Sequence, residues 1–346
     1  MSAGTGVGRI GAGQTGAGRP DARGRLADRR PRAALDRAGR WVDALFRSHA
    51  TLVYVFLYVP IALVVLFSFT AGERSGELRG LSLRWYGTTL DDQFVIRALG
   101  NSLVVAFSTS MIATTFGTIA ALALSRAPRA MRTVLDGLTY VAIIIPGIVI
   151  GIATLLFFVN LFGWINPWIA WLWSSLGLGG RPLALGQGLH TVVAAHVVFT
   201  MAIVIVLVRT RLAGMDRSLI EASGDLYATP WRTFRQVTLP QLAPAILAGA
   251  LLAFTFSFDD FVIASFVSGP GQPTLPMYVF ASIRRGITPE INAIATLILL
   301  VTLTVLFAVQ LIYRRQARQA EALRAAAERV EAEFEDLAPG GAAAAA

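Results

Sequence analysis

Six long apolar runs, at about 50–70, 98–124, 134–160, 188–208, 245–266 and 291–313, dominate the pattern of this 346-residue chain. Each is near the roughly 20 residues that carry a helix across a bilayer. Between the fourth and fifth lies a polar, Arg-bearing loop of about thirty residues with helix punctuation of its own. Ser218 followed by Glu221 is a capping-box signature for a short helix. Thr229-Pro230 supplies an N-cap and a first-turn Pro for a second one, and Leu239-Pro240 ends that helix or opens the next span. The loop therefore reads as a helix–turn–helix elbow.

Composition agrees with a polytopic membrane protein: 55% of residues are hydrophobic, 15% are charged and the mean hydropathy is +0.62. The chain has no Cys, which excludes disulfides and thiolate chemistry. All 30 basic residues are Arg. Without Lys there is no phosphate-binding P-loop and no Schiff base, so any ATP is hydrolysed on another chain. The net charge of +9 follows membrane topology and does not indicate nucleic acid. Arg crowds the N-terminal tail, the 126–132 turn (Arg126, Arg129, Arg132), the elbow (Arg209, Arg211, Arg217, Arg232, Arg235) and the segment after Tyr313 (Arg314, Arg315, Arg318). By the positive-inside rule these lie in the cytoplasm, as do both termini.

Residues 1–48, rich in Gly, Ala and Arg, read as a disordered cytoplasmic tail, and their first apolar run is too late and too long for a signal peptide. Residues 49–315 form the six-span domain. Residues 316–346 form a charged cytoplasmic tail, helical through Asp336, with Leu323, Val330 and Phe334 as a thin apolar stripe. Pro146-Gly147 should kink or loosen the third span, either as a hinge or as an ordinary membrane-helix break. Trp164, Trp168, Trp171 and Trp173 fall in an expected outer loop, broken by Gly163, Asn166 and Pro167. They serve either as interfacial anchors or as part of a short surface helix.

Asp259 and Asp260 stand within the fifth apolar run, where a carboxylate is costly and rarely faces lipid. Counted from Ala245 at about 1.5 Å per residue, they reach the outer part of the membrane. Neighbours on a helix point about 100° apart, so one can meet a cation while the other caps a break or pairs with a base. A structural role for both stays open. His49, His190 and His196 are scattered and read as packed or interfacial.

Glu221-Ala222-Ser223, Asp225-Leu226 and Val237-Thr238-Leu239-Pro240 resemble the Glu-Ala-Ala loop of permease subunits in bacterial ABC importers. Asn101-Ser102-Leu103 resembles the usual start of that permease domain, and the likeness covers about residues 97–313. The resemblance implies an all-α, six-span type I importer permease in the bacterial inner membrane, with the elbow as coupling helices. Ser218, Glu221, Ala222, Ser223, Asp225, Leu226, Leu239 and Pro240 would then meet an ATPase subunit. It also implies a second permease, two ATPase subunits and an extracytoplasmic binding protein as partners. This chain would hold no metal and no cofactor, with ATP and Mg on the ATPase.

The family usually has Gly where this chain has Tyr227, and the turn would then fall to Ala228-Thr229. Phe256-Ser257-Phe258-Asp259-Asp260-Phe261 and Thr288-Pro289-Glu290-Ile291-Asn292 are similar to sequences of spermidine/putrescine permeases. That likeness implies a polyamine pathway through Ser257, Asp259, Asp260 and Glu290. Ferric iron, thiamine or an opine are alternative loads. An ion-coupled secondary transporter is the rival reading, and it has no use for the elbow.

Overall fold

The structure, a computed structural model, describes residues 29–337 apart from 217 and 287. It divides into two units, residues 1–63 and 64–346. The first unit contributes most of α1 (Arg29–Ser68), whose side chains from Trp41 to Leu63 are exposed throughout. An all-round apolar surface of that kind suits lipid. Residues 29–48, expected as disordered tail, are helical instead. A helix needs no core of its own, and the Ala- and Arg-rich stretch simply extends the span. Residues 1–28 and 338–346 lie outside the described residues.

In the second unit α2 (Arg84–Asp91) leads into α3 (Gln93–Arg126), α4 (Arg129–Ile144), α5 (Gly147–Ser175) and α6 (Leu189–Ala213). The elbow follows as α7 (Ser218–Asp225) and α8 (Pro230–Thr233), then a widened π turn over Phe234–Thr238. It runs on into α9 (Leu239–Asp259), α10 (Val262–Val267), α11 (Leu275–Arg285) and α12 (Pro289–Leu337). Among the described residues six helices are long and apolar enough to cross a membrane: Trp41–Ser68, Gln93–Arg126, Gly147–Ser175, Leu189–Ala213, Pro230–Asp259 and Pro289–Ala308.

The core is the triple contact of α3, α6 and α9. Without a hydrophobic drive inside lipid, helices associate through close packing at small residues. Gly117 and Gly249 do this on either side of Val204. A Cβ on Gly117 would stand 2.9 Å from the Val204 Cβ, and one on Gly249 would stand 3.4 Å from the Val204 methyls. Ser110 donates to the Ala250 carbonyl at 2.6 Å, tying α3 to α9. Asn101 and Ser102 bind Pro273 O and Leu275 N, so they anchor the start of α11, eight residues and more into α3.

Two spans differ from expectation. The third is not one kinked helix: α4 stops at Ile144 and α5 starts at Gly147, so the candidate span shifts to Gly147–Ser175. Pro146 removes an N–H and disfavours helix at the residue before it, so the chain breaks where a kink was expected. The Trp cluster therefore lies inside α5, with Pro167 within the helix. Asn166 clasps the following loop, accepting from Leu185 N at 2.8 Å and donating to Leu185 O at 3.0 Å. The fifth span ends at Asp259, short of the expected 266.

Candidate functional site

At the Arg-rich end, α6 stops and the elbow begins. Ser218 is the first helical residue of α7, so the cap passes to Asp216, which accepts the Ser218 N–H at 2.9 Å. That backbone bond, with the Ser218 side chain second, holds the Asp216 carboxyl below the usual carboxylate range. Glu221 sits exposed in the first turn, where its charge favours the positive end of the helix. Ala222, Asp225 and Leu226 are exposed as well, whereas Ser223 is half-buried and shares a 2.9 Å hydrogen bond with Thr233.

The turn between α7 and α8 is carried by Tyr227, not by Ala228-Thr229. Tyr227 N donates to Gly224 O at 2.9 Å and Ala228 N to Ser223 O at 3.0 Å, the paired bonds of a Schellman ending. That motif needs a left-handed residue, and Tyr227 supplies it with φ +57°, the one positive-φ residue other than Gly among those described. For an L side chain this conformation costs about 1–2 kcal/mol. The Tyr227 side chain gains nothing within the chain to offset that strain, since it is 95% exposed.

Thr229 then caps α8 as expected, accepting Arg232 N at 3.4 Å, with Pro230 in the first turn. Of the two roles expected for Leu239-Pro240, it takes that of opening the next span, while α8 already ends at Thr233. Pro240 withdraws the N–H that the Gln236 carbonyl would take in an α-helix, the ladder widens over Phe234–Thr238, and Leu239 opens α9. Arg211 reaches across from α6 to the Gln241 carbonyl at 3.0 Å. Beneath the elbow is a cavity of about 410 Å³, walled by Leu122, Ser125 and Arg126 of α3, Leu212 and Met215, and Ile220, Pro230 and Phe234. The 126–132 turn and the elbow thus share one end of the molecule.

At the other end of α9 the acidic pair splits. Asp259 is the last helical residue and is exposed. Its carboxylate adds to the negative end of the helix dipole. Phe256, three residues back on the same face, is also exposed and packs edge-on against Phe199. Asp260 leaves the helix with extended geometry, φ −72° and ψ 123°. Its Oδ2 accepts Ala264 N at 2.9 Å and meets His196 Nε2 at 3.2 Å. His196, buried on α6, holds Ser257 Oγ at 2.8 Å through Nδ1.

A carboxylate can only accept, so Nε2 carries the hydrogen toward Asp260. Ser257 and Asp260 are thus both tied to His196, and Asp260 also accepts the Ala264 N–H, the capping role expected for one of the two aspartates. The reading of His196 as a packed residue holds for its burial but misses these bonds. The two helix breaks also adjoin, because Ile145 and Ile150 pack with Ile263, Ala264 and Val267. Phe266 leaves no room for a Cβ on Gly151.

Glu290 is not brought to the pair. It lines a separate cavity of about 320 Å³ with Tyr278, Ser282 and Arg285. There the Tyr278 hydroxyl donates to Asp92 at 3.0 Å. Burial first, then the Asp92 hydrogen bond, pushes that hydroxyl above its ordinary value, so it remains a donor. Among the described residues no group of His, Asp and Glu is arranged to hold a metal ion.

Known proteins resemble this chain in sequence and in fold. The putrescine transport system permease protein PotI of Escherichia coli (strain K12) is 42% identical over 251 residues, covering 72% of this chain and 83% of PotI. The spermidine/putrescine transport system permease protein PotC of the same strain is 30% identical over 268 residues, covering 78% and 93%. Among solved structures, a bacterial ABC transporter involved in the import of the acidic polysaccharide alginate has TM-score 0.63 at 15% identity, over 82% of this chain and 99% of that one. At that identity the likeness concerns the fold. Residues 113–321 match the description "binding-protein-dependent transport system inner membrane component", and with these relatives the match means that the chain belongs to that permease family.

Proposed function

We propose that this chain is a translocating subunit of an ATP-driven polyamine importer, and that Asp259 meets the cargo. The observation that carries the reading is the separation of the acidic pair. One carboxylate is taken by His196 and Ala264 N, and the other stands exposed at the negative end of α9 beside an exposed ring. A carboxylate for an ammonium and an aromatic face for methylenes and charge are the groups a flexible polycation needs. The names of PotI and PotC, which refer to putrescine and spermidine, support the substrate class.

In this reading the elbow and both termini face the cytoplasm. The asymmetry of Arg supports that orientation. The elbow would dock on one of two ATPase subunits, which supply the hydrolysis that a chain without Lys or a phosphate loop lacks. A second permease would complete the pathway, and a binding protein would deliver cargo on the outer side.

The test is uptake by the reconstituted complex with putrescine, spermidine, thiamine and ferric iron in competition. Asp259→Asn is compared with wild type per folded complex. Losing one charge-assisted hydrogen bond of about 1.5–3 kcal/mol should raise the half-saturating polyamine concentration roughly ten- to a hundredfold. Unchanged affinity and rate, or preference for a non-amine cargo, refutes the pathway assignment. Uptake driven by an ion gradient without ATP favours a secondary transporter instead.

A further inference from the structure

We infer that Tyr227 is a partner-reading anchor: its ring inserts into an apolar cleft of the ATPase subunit and sets how tightly that subunit is held. The inference rests on the docking role proposed above for the elbow. Its own basis is a contradiction within the chain. A left-handed backbone at the end of α7 suits Gly, which meets no steric penalty there. This chain places a large aromatic residue at φ +57° and leaves 95% of it exposed. Strained residues persist where something outside the local structure uses them. No ring contact or hydrogen bond from the Tyr227 side chain stabilises the turn, whose two closing bonds come from backbone N–H groups.

The surroundings define the occupant. Leu226 is 82% exposed and Trp231 68%, so three large side chains stand out around one turn. Trp231 is backed by Phe234, with ring centroids 5.6 Å apart, which stiffens it at little entropic cost. Rigid aromatic anchors seated in a pocket are what dominate binding energy at protein interfaces. A bilayer surface is the other possible taker of an aromatic knob. The exposed charges around the ring are of both signs, Glu221 and Asp225 on α7 and Arg232 and Arg235 beyond Trp231, whereas the anionic lipids of a cytoplasmic leaflet would favour the bases alone and repel the two carboxylates nearest the ring. Charges of both signs around three apolar side chains fit instead a protein cleft with an apolar floor and a mixed polar rim. Tyr227 would then distinguish the cognate ATPase from others docking on a Gly-type elbow, by presence or absence of a hole for the ring.

The experiment measures the affinity of the purified ATPase subunit for the permease complex in nanodiscs. The permease chain is wild type, Tyr227→Gly, Tyr227→Asn or Tyr227→Phe, with Glu221→Arg as a reference for the docking role. Gly and Asn both accept the left-handed turn, so these variants should insert and fold at least as well as wild type. Both should lose about tenfold or more in ATPase affinity, and Phe should keep most of it. Binding protein affinity for the complex should be unchanged.

If Glu221→Arg releases the ATPase while Gly and Asn hold it as wild type does, the anchor is overturned and the docking role survives. If none of the variants alters ATPase binding, the docking role falls too. Loss with Gly alone would assign the effect to backbone freedom, and loss of membrane insertion with unchanged capture would assign the ring to lipid. Either result overturns the proposal.

Discussion

Replacing His196 with Leu isolates the bonds that hold the break after α9. The His196 side chain is 2% exposed and Asp260 is 20% exposed, so the pair is shielded but not sealed. Removing the ring takes one charge-assisted bond from Asp260, worth about 1.5–3 kcal/mol, and leaves the buried Ser257 hydroxyl without its partner at about 1–3 kcal/mol. Asp260 keeps the Ala264 N–H and some access to water, which puts its share at the low end. Leu fills much of the volume of the ring, so the cavity term is small. The expected loss is about 2.5–4 kcal/mol, a large fraction of an ordinary domain's margin.

The assay is denaturant unfolding of the reconstituted chain, run as a double-mutant cycle with Asp260→Asn. In the Asn background the His196→Leu step should cost about 1 kcal/mol less, since the Asn amide oxygen can take only a neutral bond from Nε2. A loss below about 0.5 kcal/mol, or two changes that add within about 0.5 kcal/mol, refutes the reasoning and reduces His196 to packing. Glu221→Arg should abolish uptake while the chain still reaches the membrane, by reversing charge at the elbow; wild-type uptake from correctly inserted protein removes the coupling role. The purified chain alone should hydrolyse no ATP above a mock preparation, and vanadate-sensitive turnover by it would contradict a separate ATPase. Gly117→Val should cost about 1–3 kcal/mol or more by overpacking the contact with Val204, seen as a lower unfolding midpoint.

The spans were legible because lipid leaves a chain little choice: about 20 apolar residues must run together wherever it crosses. The breaks were only partly so: Pro146-Gly147 read as a kink within one span, and a break near Asp260 only as one of the roles open to the acidic pair. The run 245–266 reads straight through Asp260, yet the helix ends there because the Asp260 carboxylate serves the Ala264 N–H. An Asp within an apolar run, a few residues before a second helical stretch, was the available signal, since that is where an N-cap belongs. His196 offered none, being 64 residues from the carboxylate it holds. At Tyr227 the departure from the family's Gly was visible, but residue type argued for moving the turn. The Schellman bonds come from the backbone and keep the turn in place whatever the side chain.

The elbow and the acidic pair are the two ends of one element. Pro230–Asp259 is a continuous helical run, and from Leu239 to Asp259 it spans about 31 Å at 1.5 Å per residue. Beside it α6 makes the same journey, with Arg209 bound to Asp136 of α4 and Arg211 bound to Gln241 near the elbow, and His196 bound to Asp260 at the break. The two rods meet between those ends at Val204 and Gly249, where a Cβ on the glycine would already touch the Val204 methyls at 3.4 Å. A displacement of the elbow thus reaches Asp259 as movement of paired rods. The π turn at Phe234–Thr238 is the one irregular section of backbone between the elbow and the pair, and it lies on the elbow side. On the proposed docking role, that turn would take up compliance at the elbow, while the carboxylate end would move together with His196.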